Sequence, residues 1–272
     1  MNGRFLFERL GLLMINTIEI KNRVIGEGIP KICVPLVGRT SEEIIAQAQK
    51  LASVSKVNNI DIAEFRADFF KDLADPDRLS SVLNKLRDIL QDNILLFTIR
   101  SETEGGEKLA TGCPSIFEIN RFIIENRLAD MVDMELFSCD ESSYELIELA
   151  HSNGIKIIMS NHDFKSTPAV DEIVRRLCLM QDKGADIAKI AVMPENKKQL
   201  LELLMATETM NSEYARVPIV TISMGKLGAL SRVCGQVFGS AITFASLDRE
   251  SAPGQIPLGE LNDLLREVDK YM

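Results

Sequence analysis

From residue 31 onward the chain alternates two hydrophobic rhythms. Short apolar, β-branched runs recur at Lys31–Val37, Ile60–Arg66, Ile94–Ile99, Met131–Glu135, Lys156–Asn161, Ile187–Val192, Val217–Ser223 and Ala241–Phe244, and each predicts a strand. Between them lie longer segments of helical period: Ser41–Val54, Asp77–Leu90, Ile116–Asn126, Ser142–His151, Val170–Lys183 and Lys197–Met210, with Leu258–Tyr271 closing the series. In the helix expected after Asn196, Leu200, Leu203 and Leu204 recur at helical spacing and are placed to face the sheet. Thr40-Ser41-Glu42-Glu43 sets hydroxyls and acids where the free N–H groups of a helix start need acceptors.

Strands alternating with helices imply parallel pairing through right-handed crossovers. An open doubly wound sheet would hold the same elements, but it usually carries a Gly-rich phosphate turn after its first strand. Here Val37-Gly38-Arg39-Thr40 follows that strand and has no such turn. A closed (β/α)8 TIM barrel explains the eight runs better, and 272 residues suit it. Ahead of the barrel, Ile18–Ile25 with Gly26-Glu27-Gly28 reads as a β-hairpin closing the bottom of the barrel. No repeat, low-complexity linker or shift in composition divides the chain. Residues 18–272 are therefore expected to form a single catalytic domain. Residues 1–17 read as an N-terminal extension, non-native or disordered, with Met14 as an alternative start.

Composition narrows the function classes. With 46% hydrophobic and 26% charged residues the chain is an ordinary globular one. A net charge of −9 without a basic run disfavours nucleic-acid partners, although a few buried arginines can still present a positive field to a small anion. The five cysteines are odd in number and widely spaced, which fits a reducing cytoplasm better than a disulfide framework. With two histidines and no Cys-x-x-Cys pair, no metal site is expected. Met1–Met14 is broken by Arg4, Glu8 and Arg9, so it does not read as a secretory signal, and no run is long and apolar enough for a membrane span.

In such a barrel chemistry sits at the C-terminal ends of the strands, and polar residues collect there. The second run ends in Glu64-Phe65-Arg66-Ala67-Asp68, with Glu64 and Arg66 on one face of the strand. The third ends in Thr98-Ile99-Arg100-Ser101 and continues to Glu104-Gly105-Gly106; the fourth ends in Asp133-Met134-Glu135 and the fifth in Ser160-Asn161-His162-Asp163. Lys189 stands inside the apolar sixth run, flanked by Ala188, Ile190, Ala191 and Val192. Burial there would depress its pKa, and a neutral amine attacks a ketone to form an imine. A structural pairing with an acidic neighbour is the alternative reading. His162 on the adjacent strand would open on the same mouth as a general acid or base, whereas His151, in a helix tail, reads as surface.

Arg66, Arg100 and Arg232 offer guanidinium forks that match a carboxylate. Ion pairing with Glu64 or Glu104 is the alternative for at least one of them. Ser246–Pro257, rich in Gly, Pro and small polar residues, suits a mobile lid, from which Ser251 and Gln255 would hydrogen-bond substrate hydroxyls; a plain solvent loop is the alternative that composition allows equally.

These segments, in this order, resemble the type I 3-dehydroquinate dehydratases (3-dehydroquinases). The resemblance rests on Glu64-Phe65-Arg66-Ala67-Asp68, Thr98-Ile99-Arg100-Ser101-x-x-Glu104-Gly105-Gly106, Asp133-x-Glu135-Leu136, Ser160-x-His162-Asp163-Phe164, Lys189-Ile190-Ala191, Ser223-Met224-Gly225 with Ser231-Arg232, and Ser251-Ala252-Pro253-Gly254-Gln255. It implies a hydro-lyase of the shikimate pathway that needs no metal or cofactor and turns 3-dehydroquinate into 3-dehydroshikimate by syn elimination. By that resemblance Lys189 is the imine nucleophile and His162 moves the protons. Glu104 orients His162, and Arg232 clamps the substrate carboxylate. Glu64, Arg66, Arg100, Ser251 and Gln255 contact hydroxyls or the ring. The resemblance also implies a homodimer. Two other functions stay open: a class I Schiff-base aldolase, which would need a phosphate site near Gly225 or Gly239-Ser240, and a non-catalytic barrel that binds a carboxylate metabolite.

Overall fold

The computed structural model describes residues 17–248 and 250–272, so the expected extension lies outside the described residues except for Thr17. Each apolar run forms a strand: β3 (Lys31–Leu36), β4 (Ile60–Arg66), β5 (Ile94–Thr98), β6 (Met131–Glu135), β7 (Lys156–Asp163), β8 (Ile187–Val192), β9 (Ile219–Ser223) and β10 (Ile242–Ser246). They pair in chain order, all in parallel, and β10 returns to pair with β3. The seam between β9 and β10 is the thin one. An isolated parallel bridge joins Ile219 to Ser240, supported by Ala241 N–H donating to the Ile219 carbonyl at 2.8 Å.

The helices between the strands are α1 (Ser41–Asn58), α2 (Pro76–Ile89), α3 (Ile116–Glu125), α4 (Ser142–Ser152), α5 (Val170–Asp182) and α6 (Lys197–Thr209), each within a few residues of its expected bounds. Their starts are chemically marked. Thr40 caps α1, Asp75 followed by Pro76 caps α2, and Ser115 with Glu118 forms a reciprocal capping box on α3. After β9 come two short helices absent from the sequence reading, α7 (Ala229–Val233) and α8 (Gly235–Phe238). Five and four residues are too few to show a helical period. Their presence also changes the expectation for α6: Leu203 joins the layer between helices and sheet, but Leu200 and Leu204 pack instead on Cys234 and Phe238. A final helix, α9 (Leu258–Asp269), follows the two-residue strand β11 (Ile256–Pro257), which pairs with β10. The strand β9 starts two residues later than its apolar run because Pro218 has no N–H to give the ladder.

The period of two sorts the strand residues into two cores. Ala188, Ile190 and Val192 face the helices, as do Phe65 and Met159. Cys33, Ile62, Leu96, Met131, Ile158, Ile187, Val220 and Ile242 fill the barrel interior. The hairpin of β1 (Ile18–Ile20) and β2 (Arg23–Ile25) inserts Ile20 and Ile25 into that interior cluster and closes the bottom of the barrel. Ile25 is fully buried, so Ile25→Ala is expected to cost about 2–5 kcal/mol of unfolding free energy. Chemical denaturation at unchanged m-value measures it.

Candidate active site

The alternation that buries Ile187 and Ala191 inside the barrel puts Lys189 between them, one layer above the apolar floor. Beside it, Ser160 and His162 of β7 and Asp133 and Glu135 of β6 fall on the same inward parity. The sequence thus aims a ring of polar side chains at the C-terminal mouth. A pocket of about 490 Å³ at that mouth is lined by all nine residues expected from the sequence: Glu64, Arg66, Arg100, Glu104, His162, Lys189, Arg232, Ser251 and Gln255.

Lys189 is 4% exposed. Its Nζ stands 4.3 Å over the Phe244 ring centroid and 3.9 Å from Asp133 Oδ2, too long for a hydrogen bond. Burial, aided by the Arg100 charge, pushes the amine below its ordinary value, and the carboxylates of Glu64 and Asp133 only partly oppose this. Such an amine gives up its proton more readily than a solvated one. An acidic neighbour therefore exists, but it does not satisfy the lysine as a structural ion pair would.

His162 is held by Glu104 at two points. Its backbone N–H donates to Oε2 at 2.8 Å, and Nδ1 lies 2.9 Å from the same oxygen. The carboxylate accepts, so Nδ1 carries the proton and Nε2 keeps its lone pair. Burial holds the imidazole well below its usual pKa, with Arg100, Lys189 and Arg66 adding repulsion. Glu104 moves the other way, to about 7, through burial first and then the charge of Glu135. Gly105, at φ 84°, lets the Phe164 ring lie over the turn, where a Cβ would come within 2.4 Å of it.

The three arginines have different environments. Arg66 forms a fork to Asp68, with Nε and Nη2 each 2.8 Å from a carboxylate oxygen. The scaffold pair with Glu64 expected as its alternative is not formed. Glu64 instead accepts from Thr98 Oγ1 at 3.0 Å, because side chains two apart on a strand run side by side while Asp68 lies on the turn that folds back. Arg100 is caged by Asp133 at 2.8 Å and by Glu135 and Ser160 at 2.9 Å, with Glu104 at 3.7 Å. Burial opposes its charge, but Asp133 and Glu135 hold it above its ordinary pKa. Arg232 is 1% exposed; Nη2 donates to the Pro253 carbonyl at 3.0 Å, and Nε has no partner among the described residues. Burial pushes it down to about 10, with only Glu250 acting in the other direction. It is a guanidinium in want of an anion.

Ser251, Ala252 and Gln255 line the mouth. Ser251 N–H donates to Gln255 Oε1 at 2.8 Å, Gln255 Nε2 donates to Ser251 Oγ at 3.0 Å, and Gly225 N–H donates to the Pro253 carbonyl at 2.9 Å. Gly239 and Ser240 precede β10 at the opposite end of the barrel, so they offer nothing to a phosphate at this mouth. His151 is a surface residue paired with Asp186 at 2.8 Å. From the sequence, Asp68, Ser160 and Asn161 stood among the polar strand ends without a role, and Phe244 was not marked. Parity along each strand signals Ser160 and Phe244; Asn161, on the opposite parity, had no signal.

A family model described as type I 3-dehydroquinase matches residues 32–272. The chain belongs to that family. Among type I 3-dehydroquinases and their relatives, the 3-dehydroquinate dehydratase of Bacillus licheniformis is 46% identical over 259 residues, which cover 95% of this chain and all of the relative. That of Clostridioides difficile is 46% identical over 257 residues, 94% of this chain and 99% of the relative. A crystal structure of the type I 3-dehydroquinate dehydratase from Clostridium difficile with covalently modified comenic acid superposes with a TM-score of 0.89 at 45% identity, over 95% of this chain and all of that one. The Geobacillus kaustophilus 3-dehydroquinate dehydratase gives 0.88 at 34%, over 96% of this chain and 99% of that one. This type I 3-dehydroquinase is therefore one of a family of hydro-lyases built on the TIM-barrel fold.

Proposed function

We propose that the protein dehydrates 3-dehydroquinate to 3-dehydroshikimate by syn elimination through an imine on Lys189, as a step of the shikimate pathway. The observation that carries this is the buried amine of Lys189 in one pocket with the Glu104–His162 couple and the Arg232 guanidinium, whose Nε has no partner among the described residues. The structure of the Clostridium difficile relative with covalently modified comenic acid is in keeping with covalent chemistry in the family. Residues 18–272 act as a single catalytic domain, in the cytoplasm and as a homodimer. Free cysteines throughout are consistent with the first of these settings.

Neutral Lys189 Nζ attacks the substrate ketone, and loss of water from the carbinolamine leaves a protonated imine. That cation is a better electron sink than the ketone. His162 Nε2 removes the proton from the adjacent carbon, and the electron pair moves into an enamine. The imidazolium, stabilised by Glu104, then gives its proton to the hydroxyl that departs as water. Water hydrolyses the conjugated imine and frees the amine. One imidazole serves both positions only if they lie on one face of the ring, hence syn. Arg232 clamps the substrate carboxylate. Burial lowers its pKa, and Glu250 compensates the charge only in part. Glu64, Ser251 and Gln255 hold hydroxyls, while Arg66 and Arg100 present their remaining N–H groups from the Asp68 and Asp133 cages.

Incubating protein with 3-dehydroquinate, adding borohydride and mapping the adduct tests the reading, together with absorbance from the conjugated product. Label on Lys189 with product formation supports it; folded protein giving neither refutes it. Product without label refutes the imine, and label without product favours a binding barrel.

The couple also sets a pH dependence. His162 acts as a base only while Glu104 is ionised, and Glu104 titrates at about 7. Its raised pKa means the folded state binds the proton more tightly than the unfolded chain, so activity falls with decreasing pH through about 7. Over the same range, down to the carboxyl's ordinary value, the group's own contribution to stability rises. A kcat/KM profile should show an acid limb near 7, and Glu104→Gln should erase it and lower the plateau.

A further inference from the structure

The Glu104–His162 couple does not end at Glu104. Asn161 has the opposite parity to its neighbours and points away from the barrel axis, yet its Nδ2 donates to Glu104 Oε1 at 3.0 Å. The oxygen of the same amide accepts from Arg176 Nη1 of α5 at 2.9 Å. Arg176 is in turn held by Glu172 through Nε at 2.7 Å, and its guanidinium lies 5.4 Å from the Phe137 ring centroid. The Glu172 carboxyl is pulled down to about 2 by Arg175 and Arg176, so it stays an acceptor throughout the working range. A continuous chain of hydrogen bonds therefore runs from the surface of α5 to the catalytic imidazole.

An asparagine amide has a donor end and an acceptor end of nearly the same shape. Facing Glu104, the donor end supports the carboxylate and the acceptor end would repel it. Arg176 can only donate. By occupying Asn161 Oδ1 it leaves Nδ2 as the end that meets Glu104. We infer that Arg176 is a positioning residue for the reaction, acting through the orientation of Asn161 to keep Glu104 ionised and His162 in the tautomer with Nε2 free. This rests on the proposed role of His162 as the proton carrier.

The groups that face Glu104 bear on the test. Arg100, ending β5, favours the carboxylate at 3.7 Å, and Glu135 of β6 disfavours it. From β7 come the His162 backbone N–H, its ring and Asn161, all of which hydrogen-bond to it. Arg176 reaches Glu104 only through Asn161; it lies in the helix layer, and its side chain is 16% exposed. It can therefore be changed without cutting into the pocket.

Arg176→Met keeps an aliphatic stem and drops every donor; Arg176→Ala drops the stem as well. Both are expected to move the acid limb of the kcat/KM profile upward by about one pH unit, a tenfold loss on its acid side. KM should change less than kcat. Arg176→Lys, which keeps a donor in reach of Asn161, should return the limb toward the parent position. Against an Asn161→Ala background, Arg176→Met should add no further shift. An unmoved limb in folded Arg176→Met, or a shift that adds fully to that of Asn161→Ala, overturns the inference. Borohydride trapping in the unsubstituted protein separates the two levels. Absence of an adduct there sinks the functional reading, whereas a normal adduct with an unmoved limb sinks only the role of Arg176.

Discussion

Lys189→Ala is expected to lower turnover of 3-dehydroquinate by about 10⁴- to 10⁶-fold and to abolish borohydride trapping. The size follows from what the amine supplies. Without the imine, the proton beside the ketone must leave a carbanion stabilised by a neutral carbonyl. None of the other pocket residues offers a second amine at this position; the remaining cations, Arg66, Arg100 and Arg232, are guanidinium groups. The fold should survive. Arg100 still compensates Asp133 at 2.8 Å, and Thr98 still donates to Glu64 at 3.0 Å. Lys189 has a lower pKa folded than unfolded, so its protonated form weakens the fold at every pH below the folded value. Lys189→Met, which keeps the volume and removes the charge, is therefore expected to hold or raise the melting temperature at pH 7 while losing the same activity. A Lys189→Met variant that turns over substrate at more than about a hundredth of the parent rate would be inconsistent with covalent catalysis.

His162→Ala should reduce kcat by about 10²- to 10⁴-fold, the range for a lost general acid–base. Unlike the lysine variant, it retains the nucleophile. The imine can then form and stall, so borohydride should trap at Lys189 an adduct with the mass of unreacted substrate rather than of dehydrated product. That difference of one water separates a proton-transfer role from a structural one. Removing the ring also frees Glu104 Oε2 from Nδ1, but leaves its bonds to the residue 162 backbone N–H and to Asn161, so local collapse is not expected. If adduct mass matches the dehydrated product and its rate is unchanged, His162 is not the proton carrier.

Most of the barrel was legible because apolar runs of this length, alternating with helical segments, report burial directly. Where reading and structure diverge, the cause lies in interactions a run cannot display. The strand β9 starts late because Pro218 cannot donate, and β10 runs on to Ser246 because β11 folds back to pair with it. The two short helices after β9 divert Leu200 and Leu204 from the sheet. In the site, strand parity was enough to select an inward Lys189, His162 and Glu64. Partner choice was not: Arg66 took Asp68 rather than Glu64, and Arg100 took a cage drawn from β6 and β7.

The sequence by itself determined the order of the eight barrel strands and the long helices between them, the inward or outward parity of the strand residues, and the chemical types gathered at the mouth. These are local or periodic properties, carried by side chains a few positions apart. Only the tertiary structure decided which charges meet and which stay unpaired. The register of neighbouring strands and the return of distant loops set whether Arg100 is caged by carboxylates, Arg232 meets only the Pro253 carbonyl, or Glu104 is shared between His162 and Asn161. Electrostatic interactions depend on distance and desolvation, and both are fixed by contacts between residues far apart in the chain.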